Sequence, residues 1–570
     1  MWLIDTTLLE LRCHVTVPHS YAILSHTWNE EEEVSFQEFH DIEGRRKKDG
    51  FAKITAACEL ARLRGLKWCW VDTCCIDKTS SAELSEAINS MFRWYKESAV
   101  CFAYLRDLLP DGEKDGEKTG DFDQDLASCA WFWRGWTLQE LIAPRTLEFF
   151  DRDWNMRGTK TELINTLHNI TGVSTRVLEN SDCLGETPAG TRMSWAADRQ
   201  TKRVEDIAYC LLGIFDIYMP LIYGEGERAF SRLQQEIIKD KHDLSIFAWK
   251  AEPNGQKFRG LLARCPSEFR HCRDVQVSYQ LRMTTEYSIT NRGIQLHTLL
   301  GTDDAGNYLL PLGCILRDPC SQDSKKQGLL DGKDSIGVYL KKAPNYGLVR
   351  AYPDELHTYR GWTSYMIQQH GKKRIHSPQD LGAYDCSLID EQHRLSIRLG
   401  ECNFPLKING TGPDYSWDAN SQTFITMADQ RFTGYCRLRI TTSRRSSFDC
   451  VLVCGLMRIP SIDKNSVKVN DEGLHVRAWC SIFSSSSPMW AELSELTKRH
   501  EPQDLMNLRN TVDKKCGKSD SDRCVSETST EIVLASVSAE KEQDHGIWFF
   551  RINVSVDCMP RRPQKRARNE

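Results

Sequence analysis

In the first 250 residues, short apolar runs alternate with segments in which apolar residues recur at helical spacing. The apolar runs predict strands, and the amphipathic segments predict helices. Predicted strands lie at residues 22–25, 66–71, 99–105 and 146–150. Predicted helices lie at residues 53–64, 80–96, 204–215 and 227–239. Strands and helices that alternate at these intervals indicate βαβ crossovers, and therefore an α/β domain with a parallel sheet and flanking helices.

The pattern changes after about residue 249. Segments beyond this point are short, alternate apolar with polar residues and are bounded by turn residues, which is typical of β structure. The clearest of them lie at residues 287–290, 336–340, 395–399 and 436–440. We therefore predict an α/β domain over residues 1–250 and a β-rich region, either a sandwich or a barrel, over residues 251–570.

Several segments are too polar to contribute to a core. A charged, glycine-rich stretch at residues 111–120 predicts a mobile acidic insert over about 109–127. Polar loops are predicted at about 484–488 and 500–530. The chain ends in a basic tail, residues 560–570, for which we consider two roles: binding to a nuclear importer or nucleic acid, or a solvated end without function.

Composition and charge narrow the class of protein. With 570 residues, 27% of them charged, and a formal net charge of −5, the chain is expected to form a globular protein of several domains with no nucleic-acid surface outside the tail. It contains no run of about 18 apolar residues, and its first residues lack the basic stretch of a signal peptide. We therefore expect no membrane association and a cytoplasmic location, or a nuclear one directed by the tail between Arg561 and Arg568. The 22 cysteines are then expected to be reduced.

We predict no metal site. The chain has no Cys-x-x-Cys pair, and the adjacent Cys74 and Cys75 would point to opposite sides of a strand. His271 and Cys272, which follow Cys265 closely, lack a second matched pair of ligands.

Three blocks of unusual residues carry the candidate chemistry. They are residues 21–28 (YAILSHTW), 70–78 (WVDTCCIDK) and 134–140 (RGWTLQE). The first two blocks run from an apolar strand into polar residues, and the third opens a helix. Because ligands bind at the carboxyl ends of strands in open α/β sheets, we expect the three blocks to form one site.

Glu140 is the leading catalytic candidate. It follows Trp136 by four residues, so both side chains would lie on one face of a helix, near its start, where the helix dipole favours a carboxylate. An indole beside a carboxylate can hold a ring or a ribose while the acid binds sugar hydroxyls or stabilises an oxocarbenium charge. The alternative is a structural ion pair of Glu140 with Arg134 or Arg145, with Trp136 in the core. Under the catalytic interpretation, Arg134 and Trp136 are ligand-binding candidates.

The other candidates follow the first two strands. Ser25, His26 and Trp28 are expected to line a ligand cleft, because Ser25 and His26 face opposite ways on a strand and no Gly-x-Ser-x-Gly turn marks a hydrolase serine. Asp72 and Asp77 are candidates for binding Mg²⁺ or ribose hydroxyls. Asp77 has an alternative role in starting the helix that follows it.

Residues 1–250 resemble the fungal heterokaryon-incompatibility (HET) domain. The resemblance rests on the three blocks and on residues 192–196 (RMSWA), 203–213 (RVEDIAYCLLG) and 221–228 (LIYGEGER), all in the same order. It implies an intracellular fungal protein of the nonself-recognition class, whose domain triggers growth arrest or cell death and acts with protein partners or by self-association.

HET domains are in turn similar to Toll/interleukin-receptor (TIR) domains, some of which cleave NAD⁺ at the nicotinamide–ribose bond. Trp136 and Glu140 reproduce the spacing of the Trp-Cys-x-x-Glu block of those domains, with Thr137 in place of the cysteine. This resemblance implies a Rossmann/TIR-like sheet, Glu140 as the catalytic glutamate, NAD⁺ as substrate and no required cofactor. The alternative function is a non-enzymatic death-signalling adaptor that acts by self-assembly or partner binding. Since no P-loop or repeat follows the domain, regulation is expected to come from residues 251–570, from partner chains, or not at all.

Overall fold

The fold was established from a computed structural model of the chain, which describes most of its first 277 residues and parts of the remainder. The described residues are 1–29, 31–110, 121–253, 255–277, 286–302, 308–316, 335–343, 346–359, 373–382, 393–399, 406–414, 416–419, 421–426, 432–441, 447–458, 476–485, 487, 489–499, 508, 523–527, 531–544 and 547–560. The basic tail beyond residue 560 lies outside this set.

A seven-stranded mixed sheet forms the centre of the N-terminal region. Its strands are β1 (Trp2–Asp5), β2 (Leu11–Cys13), β3 (Ala22–His26), β4 (Trp68–Trp70), β5 (Val100–Tyr104), β6 (Leu147–Phe150) and β7 (Met156–Thr159). In space they follow the order β2-β1-β4-β3-β5-β6-β7. The four strands predicted from the apolar runs, β3 to β6, pair in parallel. The strands outside them, which were not predicted, pair antiparallel.

Helices flank this sheet, and α3 packs on β3 and β4. They are α1 (Phe36–Phe39), α2 (Ile42–Arg45), α3 (Asp49–Leu63), α4 (Ser81–Glu97), α5 (Phe122–Ser128), α6 (Thr137–Ile142), α7 (Ile164–Thr171), α8 (Thr175–Glu179), α9 (Ala189–Ser194), α10 (Asp206–Tyr209), α11 (Leu212–Phe215) and α12 (Arg228–Asp240). Short 3₁₀ helices cover Ala130–Trp133, Ser181–Glu186, Leu244–Phe247 and Pro266–Asp274.

The local signals that predicted the longer helices act as expected. Ser80 caps α4, since its hydroxyl accepts a hydrogen bond from the backbone nitrogen of Glu83 at 3.3 Å. Gly65, with φ of 73°, follows α3 in the left-handed conformation that ends many helices.

The single helix predicted over residues 204–215 is wrong. The segment forms two short helices, α10 and α11, which are separated at Cys210. Gly213 of α11 lies so close to α4 that a Cβ atom there would be 2.1 Å from the Cβ of Phe92. Packing against α4 therefore sets the course of this segment, and apolar spacing alone could not reveal the break.

The predicted acidic insert is shorter than expected. Residues 111–120 lie outside the described set, but residues 122–128 form α5, with Leu126 buried. Asp121 caps this helix by accepting a hydrogen bond from the backbone nitrogen of Asp123 at 3.1 Å. The acidic residues that suggested an insert are thus those that a helix start favours.

The described residues beyond 257 are mainly β structure, as predicted. The strands are β8 (Phe258–Arg259), β9 (Val275–Val277), β10 (Glu286–Thr290), β11 (Gly293–Thr298), β12 (Gly301–Thr302), β13 (Tyr308–Leu316), β14 (Ser335–Ala343), β15 (Gly347–Ala351), β16 (His357–Tyr359), β17 (Lys373–Ser377), β18 (His393–Leu399), β19 (Leu406–Gly412), β20 (Trp417–Asp418), β21 (Thr423–Thr426), β22 (Phe432–Thr441), β23 (Ser447–Arg458), β24 (Val476–Ser484), β25 (Arg523–Glu527), β26 (Glu531–Asp544) and β27 (Ile547–Pro560). One helix, α13 (Trp490–Arg499), follows β24.

These strands form four further sheets, in which the pairs are antiparallel except for β18 with β27. A six-stranded and a four-stranded sheet, built from the strands after β17, contribute side chains to one buried cluster. Strand β25 lies inside the segment 500–530, which was predicted to be a loop. Ser484, the first residue of the loop predicted at 484–488, is the last residue of β24. Backbone pairing of β25 with β26 accounts for the first difference, because ladder hydrogen bonds do not require apolar side chains.

The largest buried cluster crosses the predicted boundary at residue 250. It extends from Leu3 to Ile375 and includes strands on both sides of that position. At the junction, the guanidinium of Arg350 in β15 lies 3.7 Å from the ring centroid of Trp249 and donates to the carbonyl of Phe247 at 3.0 Å. Residues after 250 therefore complete the packing around the N-terminal region.

Candidate functional site

The candidate site lies at the carboxyl ends of the parallel strands. Ser25 and His26 end β3, and Asp72 follows β4 by two residues. Glu140 belongs to α6, in the connection between β5 and β6, and α6 packs against β3. Because β3, β4 and β5 run in the same direction, their carboxyl ends share one edge, and the structure brings these side chains to it.

Glu140 is buried and hydrogen-bonded to the end of β3. The hydroxyl of Ser25 donates to Glu140 Oε2 at 2.5 Å and accepts a hydrogen bond from the indole nitrogen of Trp131 at 2.7 Å. The hydroxyl of Tyr95 donates to the carbonyl of Leu24 at 3.3 Å, and Tyr95 also acts on Glu140 in the direction that lowers its pKa. Glu140 is 4% exposed, and Ser25 and Trp131 are fully buried. Since the indole is only a donor, the Ser25 proton points to the carboxylate, an arrangement that suits the ionised form of Glu140.

Two carboxyl groups of this site have pKa values that are shifted in opposite directions. Burial, followed by the negative charge of Asp72, raises the pKa of Glu140 to about 8. Burial would also raise the pKa of Asp72, but the hydrogen bond with His26 and the charges of Lys78 and Arg134 hold it below its usual value. Carboxyl groups whose pKa values are separated in this way are typical of sites where one acts as a base and the other titrates near neutral pH.

His26 connects Asp72 to a buried ion pair. Its Nε2 lies 3.2 Å from Asp72 Oδ1, and its Nδ1 lies 3.2 Å from Lys53 Nζ. Lys53 in turn pairs with Glu33, and both are almost fully buried. Because an ammonium group can only donate, Nδ1 of His26 must accept, which leaves the Nε2 proton directed to Asp72.

Lys53, Glu33 and Trp131 were not predicted as site residues. Lys53 comes directly before Ile54, a residue of the apolar stripe of α3. This position was the one signal in the sequence that Lys53 is buried. Glu33 follows other acidic residues and resembles a solvated segment in sequence. Trp131 lies outside the helix that carries Glu140, and only the tertiary structure brings its indole to Ser25.

Trp28 lies half-buried beside the site and is surrounded by cations. The Lys78 ammonium is 4.2 Å from the ring centroid, the Arg134 guanidinium carbon 5.4 Å and the Lys202 ammonium 5.8 Å. Arg134 also acts on Glu140 through its charge. Trp28 and Arg134 thus lie together at the predicted site, and Lys78 and Lys202 lie beside them.

Trp136 and Asp77 have other partners. Trp136 acts on Asp206, in the direction that lowers the pKa of that carboxyl group, and the indole that donates to Ser25 is that of Trp131. The Asp77 carboxylate accepts hydrogen bonds from the backbone nitrogen of Thr79 at 2.9 Å and from Gln37 Nε2 at 2.7 Å. Asp77 therefore has the alternative role considered from the sequence: it lies in the turn that precedes α4 and helps to start that helix.

The structural alternative for Glu140, an ion pair with Arg134 or Arg145, is wrong. Within the described part of the chain, its hydrogen-bond partner is Ser25, and Arg134 acts on it only through charge. A buried acid that has no ion-pair partner and a strongly raised pKa is a candidate for a functional role.

Other features of the described residues do not add to this site. No group of three His, Cys, Asp or Glu side chains in the described ranges is arranged to hold a metal ion. No helix among them has the length and apolarity needed to cross a bilayer. A cavity of about 300 Å³ is lined by residues of other elements, among them Arg192, Asp243 and Leu312.

Comparison with known proteins finds similarity over part of the region that contains this site. Residues 21–116 match the family model described as heterokaryon incompatibility protein (HET), and this stretch includes the ends of β3 and β4. The chain therefore contains a HET domain. Over 223 residues it is 48% identical to the vegetative incompatibility protein HET-E-1 of Podospora anserina, and the alignment covers 39% of this chain but only 16% of that relative. No solved structure is significantly similar to the chain.

Proposed function

We propose that this chain is a heterokaryon-incompatibility protein whose HET domain triggers cell death by cleaving NAD⁺ between nicotinamide and ribose. The observation that carries the proposal is the buried Glu140 side chain, which accepts a hydrogen bond from Ser25 at the carboxyl edge of the parallel strands. The name of the similar relative, a vegetative incompatibility protein, supports the biological part of the proposal.

The strand order supports a Rossmann/TIR-like sheet. The parallel strands β3, β4, β5 and β6 lie in the spatial order β4-β3-β5-β6, so the first strand in sequence is between the second and the third. This is the order of flavodoxin-like doubly wound sheets, in which ligands bind where the first and third strands diverge. Ser25, at the end of β3, lies at this point of the sheet.

The chemistry requires little more than a well-placed negative charge. When the bond between ribose C1′ and the nicotinamide nitrogen breaks, the positive charge of the pyridinium ring passes to the ribose as an oxocarbenium ion. Nicotinamide leaves as a neutral molecule, so no general acid is needed. The ionised Glu140 stabilises the ribose cation electrostatically, and a water molecule then adds to C1′. We assign the proton released by that water to Asp72, whose lowered pKa keeps it ionised.

The test is nicotinamide release from NAD⁺ by the purified full-length chain, at a protein concentration high enough to permit self-association. Glu140→Gln keeps the size of the side chain and removes its charge, and we expect turnover to fall by about 100-fold or more. Glu148→Gln is the matched control, because Glu148 belongs to the same domain but is hydrogen-bonded to Arg64 at 2.6 Å and is not part of the site. We expect the control to retain activity.

The two proposed roles of the domain can be separated in cells. If the domain kills by NAD⁺ cleavage, Glu140→Gln should abolish both NAD⁺ loss and toxicity in a fungal host that expresses the chain. If the folded wild type releases no nicotinamide and Glu140→Gln remains toxic, the domain acts as a non-enzymatic adaptor. Equal turnover by wild type and Glu140→Gln would exclude Glu140 as the catalytic carboxylate.

A further inference from the structure

Three cations converge on one side of the candidate site, and we refer to Lys78, Arg134 and Lys202 as the cationic rim. They come from separate parts of the chain: Lys78 from the turn before α4, Arg134 from the end of the 3₁₀ helix Ala130–Trp133, and Lys202 from the loop before α10. All three lie within 5.8 Å of the Trp28 ring centroid. A local motif therefore cannot account for the cluster, which is assembled by the fold.

The charges of Lys78 and Arg134 are not balanced by carboxylates at contact distance. Within the described part of the chain, neither of them forms an ion pair, and Asp72 is the carboxylate that both act on at longer range. The face of the Trp28 indole attracts each cation but carries no net charge to neutralise it. An anion bound beside Lys78 and Arg134 would supply that charge.

The rim adjoins the proposed ribose position. Arg134 acts through its charge on both Glu140 and Asp72, and Lys78 acts on Asp72. In a pyridine dinucleotide, the diphosphate follows directly after the nicotinamide ribose. A substrate whose ribose lies against Glu140 therefore carries its negative charges close to the point where it leaves the buried part of the site.

We propose that the cationic rim binds the diphosphate of the dinucleotide and so restricts cleavage to phosphorylated pyridine nucleotides. This proposal rests on the proposed function for the position of the ribose, but binding of the diphosphate is measurable without cleavage. Arg134 can contact two phosphate oxygens at once, and Lys78 supplies an exposed ammonium that reaches into solvent.

The first test is calorimetric titration of the full-length chain with ADP-ribose, which is the cleavage product, and with inorganic pyrophosphate. Because a charge-assisted hydrogen bond contributes roughly 1.5–3 kcal/mol, Lys78→Gln and Arg134→Gln should each weaken ADP-ribose binding by about tenfold or more. Lys78→Arg keeps the charge and should retain most of the affinity.

Lys96→Gln is the matched control. Lys96 is half-buried and lies in the last turn of α4, at the opposite edge of the sheet, where it pairs with Asp182. Its replacement should leave ADP-ribose affinity unchanged. Thermal unfolding of each variant verifies that the fold is retained.

The second test compares substrates. With NAD⁺, Lys78→Gln should raise KM more than it lowers kcat, whereas nicotinamide riboside, which lacks phosphate, should be a poor substrate whose KM this variant leaves unchanged. Arg134→Gln should raise KM for NAD⁺ and also lower kcat, because the charge of Arg134 favours the ionised form of Glu140. Loss of ADP-ribose affinity in the variants supports the rim even if the wild type does not cleave NAD⁺. If both variants keep the wild-type affinity for ADP-ribose and the wild-type KM for NAD⁺, the proposed role of the cationic rim is wrong, but the proposed function is unaffected. Failure of the wild type to bind either ADP-ribose or pyrophosphate would also overturn it.

Discussion

At the scale of single residues, the site depends on how Glu140 is surrounded. The hydroxyl of Ser25 donates to its carboxyl group, yet burial and the charge of Asp72 oppose its ionisation. The result is a carboxyl group that titrates near pH 8 rather than near pH 4.5. A substrate that brings a positive charge beside it would favour the ionised form.

The pH dependence of activity follows from this titration. Because only the ionised Glu140 stabilises a ribose cation, the rate of nicotinamide release at low NAD⁺ concentration should rise with pH and level off above about pH 8. Measurement of kcat/KM between pH 6 and pH 9 tests this. A rate that is constant over this range would show that the ionisation of Glu140 does not limit cleavage.

Stability should change with pH in the opposite direction. The folded pKa of Glu140 is raised, so between about pH 4.5 and pH 8 the folded chain holds this proton more tightly than the unfolded chain, and stability falls as pH rises through that window. Glu140→Gln removes this dependence and should be more stable than wild type at pH 8, by more than about 1 kcal/mol. Thermal unfolding of wild type and Glu140→Gln at pH 5 and pH 8 measures this difference in stability. If the advantage of the variant is no larger at pH 8 than at pH 5, the prediction is wrong.

At the scale of elements, the central strands and the longer helices follow from local patterns. Strands β3 to β6 are continuous apolar runs because they are buried in the middle of a sheet, and α4 begins at the serine that caps it. Short elements were harder to predict. α10 and α11 have the apolar spacing of one helix, but the approach of Gly213 to α4 separates them.

Gly213 offers a test of that packing. In Gly213→Ala, the added Cβ would lie 2.1 Å from the Cβ of Phe92, so α11 or α4 must move, which should cost about 1–3 kcal/mol. Gly185→Ala is the matched control, since no atom lies within 4 Å of the point that a Cβ would occupy there, and this change should be neutral or slightly stabilising. Thermal unfolding compares the two variants. Equal midpoints would show that the contact with Phe92 is not close in solution.

At the scale of the whole molecule, the N-terminal region and the first β strands after residue 250 share one core. Arg350 is a central part of this junction, because it is fully buried and its guanidinium lies against Trp249 and binds the carbonyls of Phe247 and Trp249. Because of this shared core, activity is to be measured on the full-length chain.

The junction can be tested by replacing Arg350. Arg350→Met fills a similar volume but leaves the carbonyls of Phe247 and Trp249 buried without donors, which should cost roughly 2–5 kcal/mol. Arg439→Met is the control, because Arg439 pairs with Asp449 on the surface of β22 and should matter by less than about 1 kcal/mol. If limited proteolysis and thermal unfolding show no difference between the two variants, Arg350 does not hold the regions together.

The sequence by itself determined the periodic elements and the residues capable of chemistry. Apolar runs, cap residues and the order of the three blocks predicted the parallel strands, the β-rich second region and Glu140, because each of these depends on neighbours within a few positions. Tertiary structure alone decided which side chains meet. Trp131 reaches Ser25, Lys53 reaches His26, and Lys78 and Lys202 reach Trp28 only after distant segments pack together. Burial, and with it the raised pKa of Glu140, is likewise a property of the packed core and not of any segment of the chain.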